Sequence, residues 1–340
     1  LMHVFAATAD MSTDGVYDIV LNVDLATDND TIDNQYLTSG ENYLNPAAAT
    51  TMGDTICDGD TAYVTAMADG YVVWYDAMTG GNIIAEDEDL MVAPNVTTSY
   101  YAEVMAVDGF EEDFESYTAG DLIAASSNEW GAWSGPNGGG TDDAEVSSTQ
   151  ANGGNNSLLI DNVNGDDVVL PFGEAYSSGL FAYSMDMYID TVAYFNLQAS
   201  TNIGSAWAFD VYLSSGVINI TAGTDTLMTA AYSGSDSLNN PKWFNITFEA
   251  NITDSTWELY TDGISQGTFT YAGSVAAANL YAGSGVKYYI DNVEWAALKD
   301  DACISESRTE AVVEVNNCTG INSITNSDFA IFPNPNKGEF

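Results

Sequence analysis

Apolar and polar residues alternate with a period of two along most of this chain. Met185, Met187 and Ile189 fall on one side of a run, with Ser184, Asp186 and Tyr188 on the other. Phe195 and Leu197 oppose Tyr194, Asn196 and Gln198, and Trp207, Phe209, Val211 and Leu213 oppose Asp210 and Tyr212. Phe244, Ile246 and Phe248 oppose Asn245, Thr247 and Glu249 in the same way. Successive side chains of a strand point to opposite faces, so each run predicts a strand with one core face and one solvent face. Gly, Asn and Asp turns separate the runs, and no capped segment of helical period is sustained. The chain is therefore predicted to be all-β, built of tandem β-sandwiches.

Charge narrows the possible partners. The chain has 50 Asp plus Glu against 5 Lys plus Arg, a net charge of −45 over 340 residues. Hydrophobic residues make up 46% and aromatics 12%, a globular composition with room for two or three domains. Nucleic acid requires clustered Lys and Arg, and an anionic membrane requires a polybasic segment; the chain carries neither. No apolar run is long enough for membrane insertion by a helix. An anionic polysaccharide is repelled unless a divalent cation lies between. A saline extracellular medium screens the self-repulsion. The opening Leu1-Met2-His3-Val4-Phe5-Ala6-Ala7 lacks a basic n-region and a full apolar core, so it does not read as a signal peptide, and the chain is expected to be part of a longer secreted protein.

Four segments follow. Residues 1–35, with the strand Gly15-Val16-Tyr17-Asp18-Ile19-Val20-Leu21-Asn22-Val23, resemble the end of an Ig-like or CARDB-like repeat of secreted Bacteroidetes proteins. Next come Cys57-Asp58-Gly59-Asp60, Tyr71-Val72-Val73-Trp74-Tyr75-Asp76 and Thr97-Thr98-Ser99-Tyr100-Tyr101. These phrases resemble the Ig-like domain of Bacteroidetes surface proteins. That family closes with a cysteine and a Ser-x-x-Arg phrase, found here only at Cys303-Ile304-Ser305-Glu306-Ser307-Arg308. The resemblance implies an Ig-like sandwich split between 36–108 and 299–318, with a second domain spliced into the hairpin of its last two strands. It also implies a disulfide Cys57–Cys303 in an oxidising compartment, with a local Cys303–Cys318 bridge as the rival.

The insertion, 109–298, opens with Asp113-Phe114-Glu115-Ser116-Tyr117 and closes with Tyr288-Tyr289-Ile290-Asp291-Asn292-Val293-Glu294-Trp295. These phrases resemble the terminal strands of laminin-G-like or concanavalin-A-like jelly rolls, which lie side by side. A glycan suits the solvent faces of such a fold, because amides and carboxylates meet hydroxyls while aromatics stack on the sugar ring. The candidate contacts are Tyr188, Asn196, Gln198, Asp210 and Tyr212, with Trp130 and Trp133 from a loop. A structural calcium ion is expected where the ends of the jelly roll meet, on Asp113, Glu115, Asp143 and Asp291, with the Gly138-Gly139-Gly140 loop bringing Asp143 in. Related jelly rolls often place calcium near this junction.

Catalysis is not expected. Laminarinases carry Glu-x-Asp-x-x-Glu on a jelly-roll strand, and Ser184-Met185-Asp186-Met187-Tyr188-Ile189-Asp190 lacks both glutamates. The single histidine, His3, lies in the first segment, so a Ser-His-Asp triad or a His-based zinc site has no donor, and three cysteines spread along the chain give no zinc spacing. Two functional classes remain: a glycan-binding module for adhesion or substrate targeting, and a structural spacer. Residues 322–340, with Phe332-Pro333-Asn334-Pro335-Asn336-Lys337-Gly338-Glu339-Phe340, look like the start of a C-terminal sorting domain read by the type IX secretion machinery. That implies a secreted or outer-membrane surface-anchored protein. Asp-Thr/Ser-apolar triplets at Asp30, Asp54, Asp190, Asp225 and Asp236 resemble Bacteroidetes O-glycosylation sites.

Overall fold

The computed structural model describes residues 45–135, 141–163, 165–235 and 240–318, together with the backbone of 15–22 and 35–42. The alternating runs form strands, and among the described residues one four-residue helix, Ile123–Ser126, interrupts them. The chain divides into two compact units, residues 1–106 with 303–340, and residues 107–302.

In the first unit, Gly15–Asn22 pairs antiparallel with Gln35–Asn42. This hairpin crosses the boundary expected at residue 36. The other described residues of the unit form two sheets. The five-stranded one runs Asp54–Cys57, Thr309–Asn316, Thr98–Met105, Tyr71–Tyr75, Ile83–Ala85, and the three-stranded one runs Thr50–Met52, Ala62–Met67, Asp89–Val92. Ala62, Val64 and Ala66 supply one wall of the core, and Val72, Trp74, Ala102 and Val104 the other. Trp74 is fully buried, and its indole Nε1 donates to Asp87 O at 3.0 Å, which satisfies its one donor.

Thr309–Asn316 comes from the far end of the chain. It lies antiparallel to Thr98–Met105, with Val313 opposite Thr98, and parallel to Asp54–Cys57, with Asn316 opposite Cys57. Arg308, at its start, sits 3.2 Å over the Tyr75 ring and donates to Ala77 O and Gly80 O at 2.8 and 2.6 Å. Its Nε is 3.3 Å from Glu103.

The disulfide corrects the pairing expected above: Cys57 bridges Cys318, with Cα atoms 5.3 Å apart. The reason is strand direction. Because the last strand runs parallel to Asp54–Cys57, it brings its outgoing end, and so Cys318, beside Cys57. Cys303 precedes the strand, where its carbonyl accepts from Ala106 N.

The second unit is a two-sheet sandwich. One sheet has eight strands: Glu145–Ser147, Ser157–Asp161, Lys287–Leu298, Leu180–Ile189, Phe244–Asn251, Thr256–Thr261 and Ile264–Thr270 in order, with Asp108–Glu112 also on Lys287–Leu298. The other has seven: Gly131–Ala132, Asp167–Tyr176, Val275–Tyr281, Ala193–Gln198, Trp207–Ser214, Val217–Ala222 and Asp225–Ala231. The first and last strands of the unit, Asp108–Glu112 and Lys287–Leu298, are neighbours in the eight-stranded sheet, with Asp108 opposite Ala297 and Glu112 opposite Val293. Between the sheets lie Phe172, Tyr183, Phe195, Phe209, Phe248 and Trp257, all fully buried or nearly so. Phe209 alone has four aromatic neighbours within 6 Å, Phe248, Trp257, Phe269 and Tyr271.

Candidate functional site: the outer face of the seven-stranded sheet

The strand Ala193–Gln198 turns Phe195 and Leu197 into the core and Tyr194, Asn196 and Gln198 outward. Its neighbours add Asn279 on one side and Asp210 and Tyr212 on the other, in direct register: Asn196 lies opposite both Asn279 and Asp210. The outward polar groups bond to one another. Asn196 Nδ2 donates to Asn279 Oδ1 at 2.8 Å and to Tyr194 OH at 3.2 Å, and Gln198 Nε2 donates to Asn196 Oδ1. Gln198 Oε1 accepts from Gly204 N at 3.0 Å. Asn279 Nδ2 donates to Asp167 Oδ1 at 2.6 Å, and Tyr194 OH to Asp210 Oδ1 at 2.7 Å. All three amides are buried, so these bonds replace water that the side chains have lost.

Electrostatics follow from that burial. Asp167 is pushed up to about 6, chiefly by desolvation, with Asp142 adding to it and the Asn279 bond opposing it. Tyr194 is raised well above the usual phenol range by burial and by the carboxylate it donates to.

Aromatic rings surround this network. Trp133, Trp207, Tyr212 and Tyr281 are 38%, 47%, 45% and 42% exposed, more than rings keep when they serve only as core. Trp133 and Trp207 are 6.0 Å apart, Tyr194 and Tyr212 4.7 Å, and Tyr194 and Tyr281 6.1 Å. Gly204 fixes Trp133: its φ is +79°, and an added Cβ would meet Trp133 Cζ2 at 2.9 Å. Only glycine suits both conditions.

The face therefore brings together Asn196, Gln198, Asp210, Tyr212 and Trp133 of the expected set. Two members are elsewhere. Trp130 is 1% exposed and packs on Phe114 at 6.0 Å, because the strand Gly131–Ala132 lies between the two tryptophans and turns one inward and the other outward. Tyr188 is on the eight-stranded sheet, 5.7 Å from Trp243 and 6.0 Å from Tyr289. Trp207, Tyr281, Asn279 and Asp167 were not foreseen. Trp207 reads as a core residue by alternation, but the register slips by one between Leu197 and Gln198. Leu197 faces Phe209 and Gln198 faces Trp207, so Ala208 is an extra, bulged residue that puts Trp207 on the solvent side.

The four acids expected to hold calcium are occupied in other ways. Glu115 accepts from Asn155 N and Asn156 N, both at 2.7 Å. Asp143 accepts from Ala124 N and Ala125 N at 2.9 and 3.1 Å, and Asp113 from Glu115 N at 3.0 Å. Asp291 accepts from Asn152 N and Asn292 N at 2.7 and 2.9 Å. Among the described residues no three His, Cys, Asp or Glu side chains group as metal ligands. As placed, these residues do not fit calcium, which needs several carboxylate and carbonyl oxygens converging on one point. The Gly138-Gly139-Gly140 loop lies outside the described residues.

Asp291 sits directly opposite Asp186 on the outer face of the eight-stranded sheet. Asp186 accepts from Asn152 Nδ2, Asn245 Nδ2 and Asn292 Nδ2 at 2.7, 2.9 and 2.8 Å. Burial pushes Asp291 up to about 6. A cleft nearby is lined by Glu111, Glu112, Asp113, Ser116, Asn292, Val293 and Glu294. No described helix is long and apolar enough to cross a membrane.

Comparison with known proteins gives partial likenesses. A family model described as an Ig-like domain, CHU_C associated, matches residues 46–114. No curated protein matches the sequence. Among solved structures, a sialidase is 12% identical with a TM-score of 0.40, over 72% of this chain and 21% of its own, so this chain spans about a fifth of that protein. An endo-1,3-beta-glucanase from Streptomyces sioyaensis is 14% identical with a TM-score of 0.37, over 58% of this chain and 97% of its own. Galectin LEC-6 from Caenorhabditis elegans is 14% identical with a TM-score of 0.27, over 37% of this chain and 88% of its own.

Proposed function

We propose that this chain is a non-catalytic, glycan-binding portion of a secreted or cell-surface protein, and that it serves adhesion or substrate targeting. One observation carries the reading: four exposed rings, Trp133, Trp207, Tyr212 and Tyr281, on a sheet face whose polar groups are otherwise satisfied. Exposed rings of this kind stack on the apolar faces of sugars. The net charge of −45 favours a neutral glycan. The Cys57–Cys318 bridge supports an extracellular setting, since structural disulfides persist in oxidising compartments. The sorting phrase that starts at Phe332 lies outside the described residues and supports type IX export on sequence grounds alone.

A glycan array tests the proposal. Neutral glycans should bind, Trp133→Ala and Trp207→Ala should each weaken that binding, and Tyr188→Ala should leave it intact. Sulfated polymers in chelator should give no signal. Hydrolysis of a bound glycan would overturn the non-catalytic part. A spacer role is the competing reading, favoured by the bridge that staples the split unit. Silence across the whole array would decide for it.

A further inference from the structure

The arrangement of the rings bears on the form of the ligand, and the argument rests on the glycan reading above. Asn196, Gln198 and Asn279 are buried, and their bonds run to one another, to Tyr194, to Asp167 and to Gly204. They set the face without offering it a free hydrogen-bonding pocket. Contact with a ligand falls to the rings, and the rings form two groups. Trp133 and Trp207 stand together beside Gln198. Tyr212 and Tyr281 flank Tyr194. Gln198 lies opposite Trp207 and Tyr194 opposite Tyr212, so the groups mark the two ends of the strand Ala193–Gln198. The rise from Tyr194 to Gln198 along a strand is about 13 Å. A single sugar ring does not reach both.

We infer that this face takes the interior of an extended, neutral glycan chain, lying along the strand and stacked at both ends, and not a terminal sugar. Asp210 and Asp167 also lie on this face, which disfavours chains of uronic acids or sulfated sugars. Stacking tolerates variation in hydroxyl pattern, so the length of the chain matters more to affinity than its sugar identity. Trp207 and Tyr212 are then the residues that measure length.

The experiment is calorimetric titration of the full chain with glucose, cellobiose, cellotetraose and cellohexaose, with the laminari- and manno-oligosaccharide series beside them. Affinity should rise by about tenfold from disaccharide to hexaose in the series that binds, in keeping with one added ring stack. Trp207→Ala should remove that gain and leave the hexaose binding like the disaccharide. Tyr212→Ala should do the same from the other end, and Trp207→Tyr, which keeps a ring, should restore most of it. Should a monosaccharide bind as tightly as the hexaose, with Trp207→Ala weakening both alike, the extended-chain inference fails while the glycan reading stands. If no series binds, both fail.

Discussion

The two sheets of the inserted sandwich each bury one face and present the other to solvent, and those solvent faces are built from different chemistry. On the seven-stranded sheet, neutral amides are packed under aromatic rings that remain exposed. On the eight-stranded sheet, two opposed carboxylates, Asp186 and Asp291, are clamped by asparagines, while Tyr188 packs on both Trp243 and Tyr289. The first arrangement spends its polar groups inwardly and leaves apolar surface for a partner. The second packs its rings on one another and holds its carboxylates in hydrogen bonds. Equal alternation along the strands thus yields two different outer faces, the seven-stranded one keeping several rings exposed.

The largest effect that separates the faces comes from a tryptophan on neither. Trp130→Ala empties a fully packed core position and should cost about 3–5 kcal/mol by chemical denaturation. Trp133→Ala, three residues on, should cost under about 1 kcal/mol and act on glycan binding instead. Equal losses of stability in the two variants would dissolve the distinction between core and platform drawn at Gly131–Ala132.

Removing an amide from each face gives the next contrast. Asn196→Ala strips partners from buried Gln198 and Asn279, and an unsatisfied buried group costs about 1–3 kcal/mol. Asn245→Ala leaves Asp186 with two other asparagine donors and some exposure, so it should cost about 1 kcal/mol or less. Urea midpoints of the two variants check the order, and the reverse order would make the eight-stranded face the more tightly built.

Dependence on pH touches both faces. Asp166, Asp167 and Asp291 are each pushed up to about 6, in each case mainly by burial. A carboxyl whose folded value lies above its unfolded value favours folding most fully below the unfolded value, and that contribution is lost as pH rises through 6. Melting temperature should therefore increase from pH 8 to pH 5, with relief of self-repulsion acting in the same direction. Asp167→Asn and Asp291→Asn should each shallow the profile. A melting temperature that climbs with pH over this window would contradict the burial of all three.

The smallest effect expected is none. Calcium that bound only the folded state at a hundred times its dissociation constant would add about 2.7 kcal/mol. Because Asp113, Glu115, Asp143 and Asp291 already accept backbone amides separately, chelator should leave the melting curve unmoved. A downward shift would show that the carboxylates can regroup around an ion.

Much of this architecture is legible in the residue pattern. Period-two alternation places Met185, Met187, Phe195, Leu197, Phe209 and Val211 in the core, where they are. It also sets Asn196, Gln198, Asp210 and Tyr212 on one outward face. What it misses has local causes. A single extra residue at Ala208 inverts Trp207, and a period of two carries no mark of an insertion of one. Trp130 and Trp133 are alike in composition and differ only in which side of a two-residue strand they leave. The cysteine pairing turns on whether the final strand runs parallel or antiparallel to Asp54–Cys57, and both directions suit the same residues. The four acids expected at calcium accept backbone amides as they stand, because carboxylates near chain turns serve amides as readily as metals, and sequence does not separate those uses.

The bridge between Cys57 and Cys318 joins positions 261 residues apart. Tension applied to the chain on the outer sides of these two cysteines passes from sulfur to sulfur and does not enter residues 58–317. The sandwich that carries Trp207 and Tyr212 hangs from this covalent shortcut as a side branch of the line of force. A sheet face so placed keeps its fold under shear that would peel strands from an in-line domain. In a single-molecule pulling experiment, the extension from unfolding residues 58–317 should appear only after reductant has been added.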